Sequence, residues 1–152
     1  LRRRPHRTSR PAEKAQRPLI LIGNGTGLAG LRGHLRARAA LGRHDNWLVF
    51  GERNEAHDYL CRGELEAWQR VGVLQRLDMV FSRDQAERRY VQHRLLQLDE
   101  EVRDWIARDA AIYVCGSLQG MAGGVDAALA QIVGGAGMGE LLARGGYRRD
   151  VY

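Results

Sequence analysis

Apolar residues along the chain are concentrated in short runs that alternate with longer segments of mixed composition. Four of these runs are typical of strands buried in a parallel sheet, and they cover residues 19–22, 47–51, 77–81 and 111–114. A fifth extended segment is predicted at residues 147–152. The first four runs end at glycine, serine or cysteine, where the chain must turn.

Between these runs, apolar residues recur every three or four positions, as they do on the buried face of a helix. The clearest of these segments predicts one continuous helix carrying Val91, Leu95, Leu98, Val102 and Trp105. Two similar faces are formed by Leu28, Leu31, Leu35 and Ala39 and by Met121, Val125, Leu129 and Ile132. A further helix is predicted within residues 59–71. A flexible break is predicted at Gly134, Gly135, Gly137 and Gly139, followed by a short helix at 140–143.

Regular alternation of strand and helix predicts an α/β domain with an open parallel five-stranded sheet and helices on both faces, as in Rossmann-like domains. Such sheets bind ligands at the carboxyl ends of their strands, where the strand order reverses. The residues that follow each predicted strand are therefore the candidates for function.

Charge divides the chain into two parts. Residues 1–18 contain all three prolines, seven basic residues and one acidic residue, which accounts for the entire net charge of +6. We predict a basic arm or linker at 1–18 and one domain at 19–152. A basic arm can bind nucleic acid, and a nucleic-acid module is one alternative. The neutral body lacks aromatic residues placed for base stacking, so nucleic acid is not the expected partner.

Cys61 and Cys115 are the only cysteines and lie 54 positions apart, with neither the spacing of a zinc site nor that of a disulfide framework. No apolar run reaches the length of a membrane span, and the basic start lacks the apolar stretch of a secretory signal. We therefore expect a reducing, cytoplasmic location. Membrane attachment elsewhere in a longer parent protein is left open.

A glycine-rich turn, Gly23-Asn24-Gly25-Thr26-Gly27, lies between the first predicted strand and its helix. Glycines let a phosphate approach the main chain, and the helix that follows offers free N–H groups and the positive end of its dipole. The turn lacks the lysine and hydroxyl ending of a P-loop. Gly25, Gly27 and Gly30 also satisfy the pattern of NAD-binding domains, with Glu52 placed to meet a ribose, so an NAD-linked dehydrogenase domain is a second alternative.

The segment after the third predicted strand combines a hydroxyl, guanidinium groups, a phenol and an amide. A phosphate on the ribose of adenosine is best held by arginine, and Ser82, Arg83 and Arg88 provide such groups. An adenine ring would stack on Tyr90 or Arg83. The alternative is a solvated helix start that carries only ion pairs.

Five blocks in order resemble the NADP(H)-binding domain of the ferredoxin–NADP reductase superfamily, and the closest branch is the diflavin reductases, such as NADPH–sulfite reductase flavoproteins. The blocks are Gly23 to Gly27, Asn46 to Gly51, Ser82-Arg83 with Tyr90-Val91-Gln92, Tyr113 to Gly116, and Arg149 to Tyr152. The chain departs from the family at Asn24 and Gly30, where proline is usual, at Arg88, where lysine is usual, and at Ser117 and Gly124, where aspartate is common.

The resemblance implies a role for each matching residue. The pyrophosphate would be held by Gly23, Gly25, Thr26 and Gly27. The 2′-phosphate and adenosine would be held by Ser82, Arg83, Arg88, Tyr90 and Gln92, with Arg53 also reaching the nucleotide. Cys115 and Asp150 would be the catalytic residues beside the nicotinamide, and Tyr152 would stack on the flavin.

The resemblance also implies cofactors and partners. They are NADP(H), FAD held mainly by a preceding β-barrel domain, and FMN in a flavodoxin-like domain or another electron acceptor. The chain has no match to the FAD motif of that barrel, so we expect the barrel to be another domain of the same parent protein. No residue pattern predicts a metal site.

Overall fold

The computed structural model describes residues 17–52, 62–82, 90–116 and 121–151, with the backbone alone at Thr26 and Val151. Five strands lie in these ranges: β1 Leu19–Asn24, β2 Asn46–Glu52, β3 Leu74–Phe81, β4 Ala111–Gly116 and β5 Tyr147–Val151. The helices are α1 Leu28–Ala40, α2 Arg62–Arg70, α3 Val91–Gln97, α4 Asp99–Ala107 and α5 Gly123–Ala143. A single 3-10 turn, Gly25–Gly27, joins β1 to α1.

All neighbouring strands in the sheet are parallel, and their order is β3-β2-β1-β4-β5. The chain builds outward from β1 to β3, then returns to place β4 on the other side of β1. The strand order therefore reverses between β1 and β4, which is where open α/β sheets bind their ligands. The predicted open parallel sheet of five strands is confirmed.

Helices cover both faces of the sheet, as predicted, and each face has its own apolar core. On one face, α1 and α2 bury residues such as Leu31 and Leu65 against Leu48 and Phe50 of β2. On the other face, the core lies beneath α3, α4 and α5 and is centred on Trp47, Val49, Leu95, Val102 and Leu129. The central strands β1, β2 and β4 are mainly apolar on both sides because both faces are covered.

The prediction of one continuous helix through residues 91–105 is wrong in one respect. The chain leaves helical geometry at Leu98, whose φ is −108° and ψ is 32°, so α3 and α4 are separate helices. Leu98, Val102 and Trp105 remain buried, so the apolar spacing continues through the break. The acidic run at residues 99–101 favours a new helix start because it complements the positive end of the helix dipole.

The predicted glycine break after residue 133 is also shorter than expected. Gly134 alone has non-helical angles, with φ 77° and ψ 168°, and α5 continues on both sides of this kink as far as Ala143. A positive φ is costly for any residue with a Cβ, so glycine is required there. Gly137 stands directly against Val133, and a Cβ at Gly137 would lie 2.8 Å from that of Val133.

Asp78 is a buried carboxylate in the middle of β3 and connects three elements. It accepts hydrogen bonds from Trp47 Nε1 at 2.7 Å, Arg76 Nε at 2.8 Å and Arg94 Nη2 at 2.9 Å. Burial by itself would raise the pKa of Asp78, but these donors lower it overall. The carboxylate therefore stays ionised and joins β2, β3 and α3.

None of the helices in the described residues combines the length and the hydropathy that crossing a bilayer requires.

Candidate functional site

The glycine turn lies in the crevice between β1 and β4 and touches the backbone of β4. A Cβ at Gly27 would lie 2.7 Å from the carbonyl carbon of Cys115, and a Cβ at Gly23 would lie 2.6 Å from the Cys115 carbonyl oxygen. Neither position has room for a side chain. Glycine is therefore used here so that β1 and the start of α1 can approach β4 closely.

Of the three glycines in this turn, Gly25 is exposed. Gly25 has φ 50° and open space where a Cβ would point, so its backbone faces outward in a conformation that favours glycine. The first turn of α1 contains no acidic residue, Gly27 at its N-cap has no side chain, and the Leu28 N–H donates to the Gly25 carbonyl of the preceding 3-10 turn. N–H groups at a helix start and the positive end of the helix dipole are features that bind phosphate in proteins. The Thr26 hydroxyl lies outside the described residues.

Cys115, predicted to be catalytic, lies near the carboxyl end of β4, under the start of α1. The residue is buried, and a Cβ at Gly30 would lie 3.0 Å from its sulfur. Burial, with a smaller contribution from Asp150, raises the pKa of the Cys115 thiol. The thiol is therefore protonated at neutral pH and does not act as a thiolate nucleophile. The family's proline at position 30 would crowd this sulfur, and glycine leaves it room.

Asp150, the second predicted catalytic residue, is paired with Cys115 in the register of β4 and β5. Its carboxylate is exposed, and Oδ2 accepts a hydrogen bond from the Tyr113 hydroxyl at 2.9 Å. The structure thus places the two predicted catalytic residues at the same level of neighbouring strands. It also adds Tyr113, to which the sequence analysis assigned no role.

Tyr113 is surrounded by other polar and charged groups on this face of the sheet. The His34 ring meets the Tyr113 ring edge-on, with centroids 4.2 Å apart, and the Arg148 guanidinium lies 5.9 Å from the Tyr113 centroid. Because alternate residues of a strand share a face, Tyr113 and Cys115 lie together on β4, as do Arg148 and Asp150 on β5. The pairing of β4 with β5 then brings the two sets of residues together.

Burial and neighbouring charges shift the pKa values of Tyr113 and His34. Burial and the hydrogen bond to Asp150 raise the pKa of Tyr113 to about 12, so the phenol remains a donor. Partial burial, then Arg148 and Arg38, lower the pKa of His34, although Asp150 opposes this shift. His34 is therefore a neutral imidazole at pH 7.

The predicted adenosine site lies at the carboxyl end of β3 and the start of α3. Ser82 is buried directly after β3, and its N–H donates to the Glu52 carbonyl at 2.9 Å. The Tyr90 ring is exposed just before α3. Four predicted residues lie outside the described residues and are not placed: Arg53, Arg83, Arg88 and Tyr152.

Gln92 connects this region to the start of α5. A Cβ at Gly124 would lie 2.8 Å from Gln92 Nε2, so the amide occupies the space above that glycine. Gln92 Oε1 is buried and accepts no hydrogen bond from the described residues. A buried carbonyl of this kind takes its donor from water or from a ligand.

A profile of the family described as oxidoreductase NAD-binding domain matches residues 21–127, which include the glycine turn, Ser82 and the Cys115 crevice. The chain belongs to this family. The predicted resemblance to the nucleotide domains of the ferredoxin–NADP reductase superfamily is thereby confirmed, and neither of the two alternative classes is favoured.

Several curated relatives share the name sulfite reductase (NADPH) flavoprotein alpha-component. The Vibrio cholerae serotype O1 protein is 42% identical over 146 residues, covering 89% of this chain and 24% of the relative. The Salmonella typhimurium protein is 39% identical over 146 residues, covering 89% and 24%. The Neisseria meningitidis serogroup B protein is 37% identical over 151 residues, covering 92% and 25%. This chain therefore spans about a quarter of the length of these relatives.

Proposed function

We propose that this chain is the NADP(H)-binding domain of a flavoprotein reductase that passes hydride from NADPH to FAD. The observation that carries the proposal is the crevice between β1 and β4, where Gly23 and Gly27 lie directly against the backbone of Cys115. This arrangement brings an anion site at the start of α1 next to the Cys115 thiol. A dinucleotide needs both features, one for its pyrophosphate and one for its nicotinamide.

The predicted site residues would contact such a nucleotide along its whole length. N–H groups at the start of α1, with Gly25 and the Thr26 hydroxyl, would hold the pyrophosphate. Ser82, Arg83 and Arg88 would bind the 2′-phosphate, and the exposed Tyr90 ring would stack on adenine. Gln92 Oε1, which lacks a donor among the described residues, would accept one from the adenosine. Arg53 would add a further contact.

The nicotinamide would lie between β4 and β5, beside Cys115 and Asp150. When bound, the nucleotide supplies a hydride to the flavin, and this chemistry belongs to the cofactors. The protonated Cys115 thiol would shape the pocket beside the ring. Asp150 would stabilise the positive charge that develops on the ring, and its position is fixed by the register of β5 against β4. Tyr152 would cover the flavin and move aside for the nicotinamide.

The partners follow from the same proposal. FAD would be held mainly by a β-barrel domain of the same parent protein, joined through the arm at residues 1–18, and electrons would leave to an FMN-containing flavodoxin-like domain or another acceptor. The names of the curated relatives, which describe NADPH-linked flavoproteins, support this assignment. The reaction would take place in the cytoplasm, where Cys115 stays reduced.

The decisive experiment is calorimetric titration of this chain with 2′,5′-ADP and with 5′-ADP. We expect 2′,5′-ADP to bind at least about tenfold more tightly, because charge-assisted hydrogen bonds to the 2′-phosphate, which 5′-ADP lacks, contribute roughly 1.5–3 kcal/mol. Arg83→Ala should remove most of this preference. The matched control is Arg70→Ala, an exposed arginine at the end of α2, before the amino end of β3, and it should leave both affinities unchanged.

Equal affinity for the two ligands would contradict the assignment of NADPH. It would favour an NAD-linked domain in which Glu52 faces the ribose, and NADH would then bind as well as NADPH. A folded sample that binds neither ligand would refute nucleotide binding at this crevice.

A further inference from the structure

Tyr113 and Asp150 form a hydrogen bond between neighbouring strands at the proposed nicotinamide site. The two residues are 37 positions apart, and the Tyr113 hydroxyl donates to Asp150 Oδ2 at 2.9 Å. The ring of Tyr113 is buried while the carboxylate of Asp150 is exposed on an edge strand. An exposed aspartate otherwise changes rotamer freely, so a buried donor at this distance restricts where its charge can lie.

The Tyr113 ring is in turn held by its neighbours. Burial among the apolar residues under α1, edge-on contact with His34 and the nearby Arg148 guanidinium define its position. The Tyr113 hydroxyl therefore projects from a packed part of the molecule toward Asp150, whose side chain would otherwise change rotamer freely. Its raised pKa keeps the proton on the phenol across the neutral range, so the donor is always available.

We propose that Tyr113 is a positioning residue that sets the distance of the Asp150 carboxylate from the nicotinamide. The inference rests on the proposed function, in which the nicotinamide lies beside Cys115 and Asp150. Oxidised nicotinamide carries a positive charge that reduced nicotinamide lacks. A fixed carboxylate therefore favours NADP⁺ over NADPH, and this preference depends on how well Asp150 is held.

The test is the ratio of the dissociation constants for NADP⁺ and NADPH, measured on this full chain, with 2′,5′-ADP as a ligand that lacks nicotinamide. In Tyr113→Phe we expect the ratio to rise about threefold to tenfold, since one hydrogen bond to a charged group is lost. The affinity for 2′,5′-ADP should stay unchanged. Asp150→Asn should raise the ratio further, because it removes the charge itself.

A double variant separates positioning from a merely structural effect. In the Asp150→Asn background, Tyr113→Phe should leave the ratio unchanged, because Tyr113 acts through the Asp150 charge. The matched control is Tyr147→Phe, which removes the hydrogen bond from Tyr147 to Asp126 on the opposite side of β5. This control should lower the melting temperature without changing the ratio.

Three results would overturn the proposal: an unchanged ratio in Tyr113→Phe, equal weakening of all three ligands, or additive effects in the double variant. If Tyr113→Phe does not fold, His34→Ala at an exposed position removes one contact of the Tyr113 ring. An unchanged ratio in that variant would then refute the proposal.

If the unaltered chain binds none of the three ligands, the proposed function itself fails. Binding of 2′,5′-ADP with an unchanged ratio in the variant refutes only the role of Tyr113.

Discussion

Gly27 allows a direct test of the crevice between β1 and β4. Its φ is −66°, a value that alanine adopts without strain, so the cost of Gly27→Ala is steric alone. The new Cβ would lie 2.7 Å from the carbonyl carbon of Cys115, about 0.7 Å short of ordinary contact at 3.4 Å, and closer still to the carbonyl oxygen. Both atoms belong to the backbone of a central strand, so neither can move independently.

The expected cost of Gly27→Ala is that of overpacking, about 1–3 kcal/mol. For a chain of this size it corresponds to a fall in melting temperature of roughly 3–10 °C. Thermal unfolding followed by circular dichroism measures this fall. Affinity for 2′,5′-ADP should decrease as well, because relief of the clash moves the start of α1 away from β4.

Gly33→Ala is the matched control for this substitution. Gly33 also lies in α1, but a Cβ there meets nothing within 4 Å. Alanine is favoured over glycine inside a helix by about 0.5–1 kcal/mol, so this variant should melt slightly above the unaltered chain. If Gly27→Ala melts at or above the unaltered chain, the close approach of α1 to β4 is refuted.

Three further predictions concern other parts of the fold. Asp78→Asn should lower the free energy of unfolding by about 1–3 kcal/mol, as measured by urea denaturation at pH 7. Folding lowers the pKa of Asp78, so its contribution to the free energy of unfolding should be complete above about pH 4. This contribution should be lost as the pH falls further. At low pH the variant should therefore be as stable as the unaltered chain. Gly134→Ala should lower the melting temperature because of its φ of 77°, whereas Gly135→Ala should not. NMR titration of His34 should show a pKa below 6.5, and Arg148→Ala should raise it; an unchanged pKa in that variant would show that Arg148 does not lower the pKa of His34.

Much of the fold is predictable from the sequence because its strands and helices differ in apolar spacing. Runs such as 19–22 are buried on both faces, so they are apolar throughout, whereas Leu28, Leu31 and Leu35 follow the helical repeat. The boundaries are less predictable. Leu98 stays on the buried face although the helix breaks there, so periodicity alone does not detect the break. The acidic residues at 99–101 are the local signal that does.

The candidate site likewise contains residues that a local pattern identifies and a residue that it does not. Gly23, Gly27 and Cys115 are recognisable in the sequence because a turn between a strand and a helix, and the end of a strand, are local features. Tyr113 had no such local signal for its role. Its hydroxyl meets a carboxylate 37 positions along the chain, and only the register of β4 against β5 brings the two groups to 2.9 Å.

The sequence by itself therefore determined the order of elements and the position of the glycine turn, because both depend on local spacing, and the resemblance of its five blocks indicated the family. Only the tertiary structure decided why Gly27 has no side chain and where the charge of Asp150 is held. Both answers depend on the distance between strands that are far apart along the chain. Such distances arise when β4 pairs with β1 and with β5, and a one-dimensional pattern does not contain them.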